Sequence, residues 1–184
     1  MTEWAEKTEK LMRENLNKLE TDLRKIRSSQ ISLEVVEELI IEQQGKKQKI
    51  KDLAALKINS DKQLVVRAFE SKKIQAISKT VLESKLGYQQ VKMERDEIYF
   101  SLPPMTGETR QQLIKNVREM IEQGKVALRI SRQKILKEVQ NLVKKKELSQ
   151  NEQKLVEKEV EKINEKYLKK IQEIQAKKEK ELTL

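Results

Sequence analysis

LPPMTGETRQQLIKNVREMIEQGKVALRISRQKILKEVQNLV, residues 102–143, is the stretch that decides the fold. Pro103 and Pro104 hold an extended connection, because proline fixes its own φ and restricts the residue before it. Thr106 follows as an N-cap. From Glu108 to Val143 there is no proline, and the single glycine is Gly124. Ile114, Ile121, Leu128, Ile135 and Leu142 recur every seven residues, a sustained heptad. The stretch therefore reads as one helix of roughly 40 residues, about 60 Å long.

On the C-terminal side, Lys144–Ser149 breaks the register. Ser149 and Glu152 form a capping box for a last helix, with its apolar stripe at Val156, Val160, Ile163, Tyr167, Ile171 and Ile174. On the N-terminal side, residues 2–27 read as a helix with Met12, Leu16, Leu19, Leu23 and Ile26 on one face. Three amphipathic helices that cannot bury their stripes alone imply a three-helix bundle.

Residues 31–102 have a different texture. Leu33–Ile41 reads as a buried strand, Gly45-Lys46 as a turn, and Ala54–Ile58 and Leu64–Phe69 as short apolar runs. Ser71 reads as the N-cap of a helix over Lys72–Ser84 with Ile74, Ile77, Val81 and Leu82 on one face. Val91–Arg95 and Glu97–Leu102 alternate as a hairpin would. The expected class is α+β, L-shaped: a long three-helix bundle from residues 1–29 and 106–184, with a hinged small α/β insert over 30–105. The hinge falls on Ser28, Ser29, Gln30 and on Pro103, Pro104, Met105.

Composition narrows the chemistry. Of 184 residues 38% are charged, 40 basic against 30 acidic, and 36% are hydrophobic. There is no Cys and no His, which removes thiolate chemistry, the commonest general base and the commonest metal ligand. No phosphate-cradling glycine loop or nucleophile elbow is present. Carboxylates such as Glu157, Glu159 and Glu161 alternate with Lys and read as a solvated face. No metal, cofactor or enzymatic activity is expected. With no apolar run long enough to span a bilayer and no secretory leader, a soluble cytoplasmic protein is the expectation.

The charge is uneven. Residues 109–146 carry 11 basic and 3 acidic side chains, net +8 of the chain's +10. Arg118, Lys125 and Arg132 lie seven apart, and Arg129 is one turn from Lys125 and Arg132. Arg110 begins the same helix on a neighbouring azimuth. Glu122 is the one close acidic partner in the sequence. A rigid rod with an arginine-rich strip and no aromatic platform suits phosphates of structured RNA rather than single-stranded bases. The competing reading is a row of salt-bridge partners for the last helix.

Taken together these residues resemble a known family. Leu102-Pro103-Pro104-Met105-Thr106 is close to a Pro-Pro-Leu-Thr linker. It is followed by Arg110, Val117-Arg118, Glu122-Gln123, Lys125-Val126-Ala127, Arg129 and Arg132, then Lys144–Ser149, with Lys25-Ile26-Arg27 at the first hinge. The chain is similar over essentially its whole length to bacterial ribosome recycling factor. Three stripes that can cover one another within one chain imply a monomer, and the resemblance implies that it binds the 50S subunit and 23S rRNA at the subunit interface. With elongation factor G and GTP, it splits post-termination ribosomes and releases mRNA and tRNA. It also implies that Arg132, Arg129, Arg110, Arg118, Lys125 and Arg27 face RNA. The chain departs from the family at Arg27-Ser28-Ser29-Gln30-Ile31, where a hinge glycine and a basic residue are replaced, and over Gln43–Lys49. A coiled-coil adaptor, or a ribosome-associated stress factor without recycling activity, are the alternatives.

Overall fold

The computed structural model describes residues 2–43 and 45–183; Met1, Gln44 and Leu184 lie outside the described residues. The chain divides into two compact units. One runs up to Leu23 and resumes over Ile114–Glu179; the other holds Arg24–Leu113 and the chain from Lys180 onward.

The first unit is helical. It is built from α1 (Glu3–Arg24), most of α4 (Gly107–Lys144) and most of α5 (Gln150–Thr183). The α1 stripe is buried at Met12, Leu16, Leu19 and Leu23. Of the α4 heptad, Ile121, Leu128 and Ile135 are fully buried, while Ile114 and Leu142 at the two ends are half-buried. The α5 stripe is buried from Val156 to Ile171, with Ile174 half-buried and Asn164 buried beside it.

The three helices interlock at named points. Gly124 of α4 leaves room for Leu19 of α1: a Cβ there would lie 2.7 Å from Leu19 Cδ2. Asn15 Nδ2 donates to Ser131 Oγ at 2.8 Å. Trp4 and Leu11 cover the cluster of Ile135, Val139, Val156 and Val160. The Tyr167 hydroxyl donates to Glu9 Oε1 at 2.9 Å, and Lys166 approaches the same oxygen at 2.9 Å. The caps expected for α4 and α5 are both made. Thr106 Oγ1 accepts from the Thr109 N–H at 3.2 Å. Ser149 Oγ accepts from the Glu152 N–H at 3.2 Å while the Glu152 carboxylate accepts from the Ser149 N–H at 2.8 Å.

The second unit carries a four-stranded antiparallel sheet in the order β3-β4-β6-β5: β3 (Ala54–Ile58), β4 (Leu64–Ala68), β5 (Gln89–Met93) and β6 (Glu97–Ser101). α3 (Ile74–Glu83) buries Ile74, Ile77, Ser78 and Val81 in the core under this sheet with Leu64, Val66, Ile98 and Phe100. A separate hairpin pairs β1 (Ile40–Gln43) with β2 (Lys46–Lys49), and Gly45 in its turn has φ +75°.

Three local expectations are corrected. Leu33–Ile41 is not one strand: Leu33–Glu37 forms a short helix, α2, and the strand begins at Ile40. Within α2 only Val36 is fully buried, and the Val36 N–H bonds back to the Ser32 carbonyl, so the segment satisfies its backbone locally instead of finding a strand partner. Ser71 does not cap α3. It starts a 3-10 turn over Ser71–Lys73, and no side chain caps the helix behind it. Leu82 is exposed rather than on the buried face. The strand at Lys46–Lys49 was not visible in the sequence, because all of its residues are polar and none is buried.

The Leu19–Gly124 contact predicts that Gly124→Val will lower stability by about 2 kcal/mol through overpacking. In a double-mutant cycle monitored by denaturant unfolding, Leu19→Ala with Gly124→Val should cost less than the two single changes added together. Additive costs would show that the two positions do not touch.

Candidate nucleic-acid interface

The helix α4 places most of the sequence-predicted cations. On a straight helix Arg118, Lys125, Arg129 and Arg132 fall within about 60° of one another, and all four belong to the helical unit. Arg110 and Arg27 belong to the sheet unit.

The four strip residues differ in their surroundings. Arg129 is exposed and makes no ion pair among the described residues. Lys125 Nζ pairs with Glu122 Oε1 on its own helix at 2.7 Å. Arg118 Nε donates to Glu179 Oε1 on α5 at 3.0 Å, with its Nη2 3.5 Å from Oε2. Arg132 Nε lies 2.8 Å from Glu161 Oε2, also on α5, but out of line for a hydrogen bond. Within the strip's own helix the sequence shows only Glu122 as a close acidic partner; pairing with the last helix is the competing reading, and Glu179 and Glu161 are the residues that make it. The signal that would have found them is the antiparallel register of α4 and α5 about the Lys144–Ser149 turn.

These pairs are open to water. The Arg118 side chain is 63% exposed, and Arg132 and Glu161 are 38% and 46% exposed. Ion pairs of this kind contribute about 0–1 kcal/mol, so each arginine can exchange its carboxylate for a phosphate at small cost. The hydrogen bond from Arg118, then that from Gln175, hold the Glu179 carboxyl below the usual carboxylate range against an opposing effect of burial.

The remaining cations sit differently. Arg110 lies in the first turn of α4, half-buried, and its N–H bonds the Thr106 carbonyl at 3.0 Å. Arg27 is half-buried, and its Nη2 donates to the Pro103 carbonyl. Of the hinge candidates, Ser28 Oγ donates to the Gln30 carbonyl at 2.5 Å and Ser29 Oγ to the Glu181 carbonyl. Pro103, Pro104 and Met105 lie in an irregular connection with trans peptide bonds. Among the described residues there is no cluster of three acidic or otherwise metal-ligating side chains, and no helix is long and apolar enough to cross a membrane.

The Arg118–Glu179 pair makes a titration prediction. A carboxylate whose pKa is depressed in the folded state adds stability above its ordinary pKa and loses it as pH falls through the folded value. Arg118→Ala should therefore move the Glu179 midpoint, followed by side-chain carbonyl NMR, back up toward 4.5. An unmoved midpoint would show that the pair does not form in solution.

A family model described as Ribosome recycling factor matches residues 19–183. Among similar proteins, the ribosome-recycling factor of Fervidobacterium nodosum is 31% identical, over 83% of this chain and 82% of its own. That of Thermosipho melanesiensis is 29% identical, over 85% and 84%. A solution structure of ribosome recycling factor aligns with a TM-score of 0.80 at 25% identity, over 100% of this chain and 98% of that one. A second structure presents models for the T. thermophilus ribosome recycling factor and the E. coli elongation factor G bound to the E. coli post-termination complex. It aligns with a TM-score of 0.66 at 29% identity, over 99% of both chains. The chain belongs to the ribosome recycling factor family.

Proposed function

We propose that the chain binds the post-termination ribosome at the subunit interface and, with elongation factor G and GTP, splits it into subunits and releases mRNA and tRNA. It acts as a factor and not as an enzyme. The observation that carries the reading of its surface is the concentration of cations along one side of α4, net +8 over residues 109–146. On this reading Arg132, Arg129 and Arg110, with Arg118 and Lys125, lie on 23S rRNA of the 50S subunit through phosphate contacts. Arginine suits that role because its planar fork meets phosphate oxygens two at a time.

The division of labour follows the resemblance. Residues 1–29 with 106–184 serve as the RNA-docking bundle, and residues 30–105 as the part on which elongation factor G acts. Ser28–Gln30 and Pro103–Met105 are the flexing points. The factor works as a cytoplasmic monomer, since the three helical stripes cover one another within a single chain.

A coiled-coil adaptor that never meets RNA is the second reading, and the pairs Arg118–Glu179 and Arg132–Glu161 favour it by making part of the strip a salt-bridge ladder. Both pairs are too exposed to hold the bundle together, however, and Arg129 serves no such ladder.

Co-sedimentation with 50S subunits separates the two. About four phosphate contacts should make affinity fall roughly a hundredfold between 50 and 200 mM salt. Arg132→Ala should weaken binding and lower recycling, flatten the salt dependence, and change the melting temperature little. Glu161→Gln, which frees Arg132, should bind as well as the parent or better. If Arg132→Ala binds normally, or if both variants lose stability together with no change in binding, the strip is a structural ladder.

A further inference from the structure

We infer that Arg27 is a positioning residue that fastens the two connections of the sheet unit to each other, and is not one of the phosphate ligands. The geometry rests on three segments of that unit. Arg27 lies on the first connection, just past α1, beside buried Ile26. Its Nη2 donates to the carbonyl of Pro103 on the second connection. The side chain crosses Gly87, where the chain leaves α3 after buried Leu86. Gly87 has φ +83°, and a Cβ at that position would stand 2.8 Å from Arg27 Cζ and Nε and 2.9 Å from Cδ. The absent side chain of Gly87 is thus the space that the guanidinium occupies.

The electrostatics agree with this placement. Burial pushes the Arg27 pKa down, and its Nε is shielded from solvent, as are those of Arg110 and Arg132. Exposed Arg129 on α4 presents its whole fork to water. Arg27 has instead spent part of its fork on its own backbone. Proline has no N–H, so the Pro103 carbonyl sits in a stretch that cannot continue a hydrogen-bonded ladder through that residue. A charge-assisted bond from arginine satisfies the carbonyl where regular structure does not. Lysine could supply the charge, but not the flat group that lies against the Gly87 backbone while still reaching Pro103. The proposal does not depend on the α4 strip reading, which Arg132→Ala tests separately.

The test compares Arg27→Ala, Arg27→Lys and Gly87→Ala in the full chain. The readouts are the carbonyl carbon resonance of Pro103, the salt dependence of 50S binding, and the rate of subunit splitting at saturating factor with elongation factor G and GTP. All three variants should shift the Pro103 resonance, Gly87→Ala by pushing the guanidinium aside in addition to the strain of a side chain at φ +83°. Arg27→Ala and Arg27→Lys should leave the salt slope as in the parent and slow splitting several-fold at saturation. Lysine should give no rescue. Should either Arg27 variant fail to fold, Gly87→Ala still decides the matter, because the parent arginine and its charge are retained. An unshifted Pro103 resonance in Gly87→Ala would overturn the clamp. So would a salt slope reduced by about one in Arg27→Ala, recovered by Arg27→Lys, since that outcome makes Arg27 a phosphate ligand. Unchanged splitting in folded Arg27→Ala would also overturn it.

Discussion

The structure depends on the burial of the α1 stripe against helices that follow it by about a hundred residues. Leu19 enters α4 at Gly124, and Trp4 and Leu11 cover the junction of α4 with α5. A glycine in mid-helix costs about 1 kcal/mol relative to alanine, and it is tolerated here because a bulkier residue would push the first helix away. Since α1 must pack on α4, the chain between them has to leave and return. The entropy of closing so long a loop grows only slowly with its length, and a folded insert with its own core reduces it further. After Pro103 and Pro104, Thr106 starts α4 without delay.

The same helix that accepts α1 on one side carries the cations on another. Packing therefore dictates where the charges can be. The heptad fixes which side of α4 is buried, and the arginines are left on a neighbouring side. Two of them meet carboxylates of α5, which orient the side chains without burying them. Such pairs contribute little to stability in water, and a phosphate that approaches can replace either carboxylate. An arginine held in place in this way loses less freedom on binding than one that waves in solvent.

Much of this was legible in the residues, and the exceptions share a cause. The heptad on α4, the α1 stripe, Thr106 and the Ser149–Glu152 box are local or periodic signals, and each stands where it was expected, except that α1 ends at Arg24 and leaves Ile26 beyond the helix. Lys46–Lys49 is a strand because it pairs with Ile40–Gln43 and Gly45 turns the chain; no property of its own polar side chains marks it. Leu33–Glu37 is rich in valine and leucine and yet is helical, because its backbone bonds are satisfied by Ser32 and Glu34 within the segment. Ser71 has the chemistry of a cap but is taken up by a 3-10 turn. For the candidate site, the sequence shows how much charge α4 carries. It does not show that Glu161 and Glu179 face Arg132 and Arg118, or that Arg27 turns onto Pro103. Those facts need the register of helices and loops distant in sequence.

On the proposed function the cation-bearing side of α4 rests on ribosomal RNA. The chain has no cysteine, so a single one can be placed at will and can carry a tethered iron chelate that generates hydroxyl radicals. Glu122→Cys sits among Arg118, Lys125 and Arg129, whereas Leu155→Cys lies exposed on α5. With the factor bound to 50S subunits, 23S rRNA should be cleaved locally from position 122 and much more weakly from position 155. Strong cleavage from 155 with none from 122 would put the other side of the bundle on the RNA and overturn the assignment.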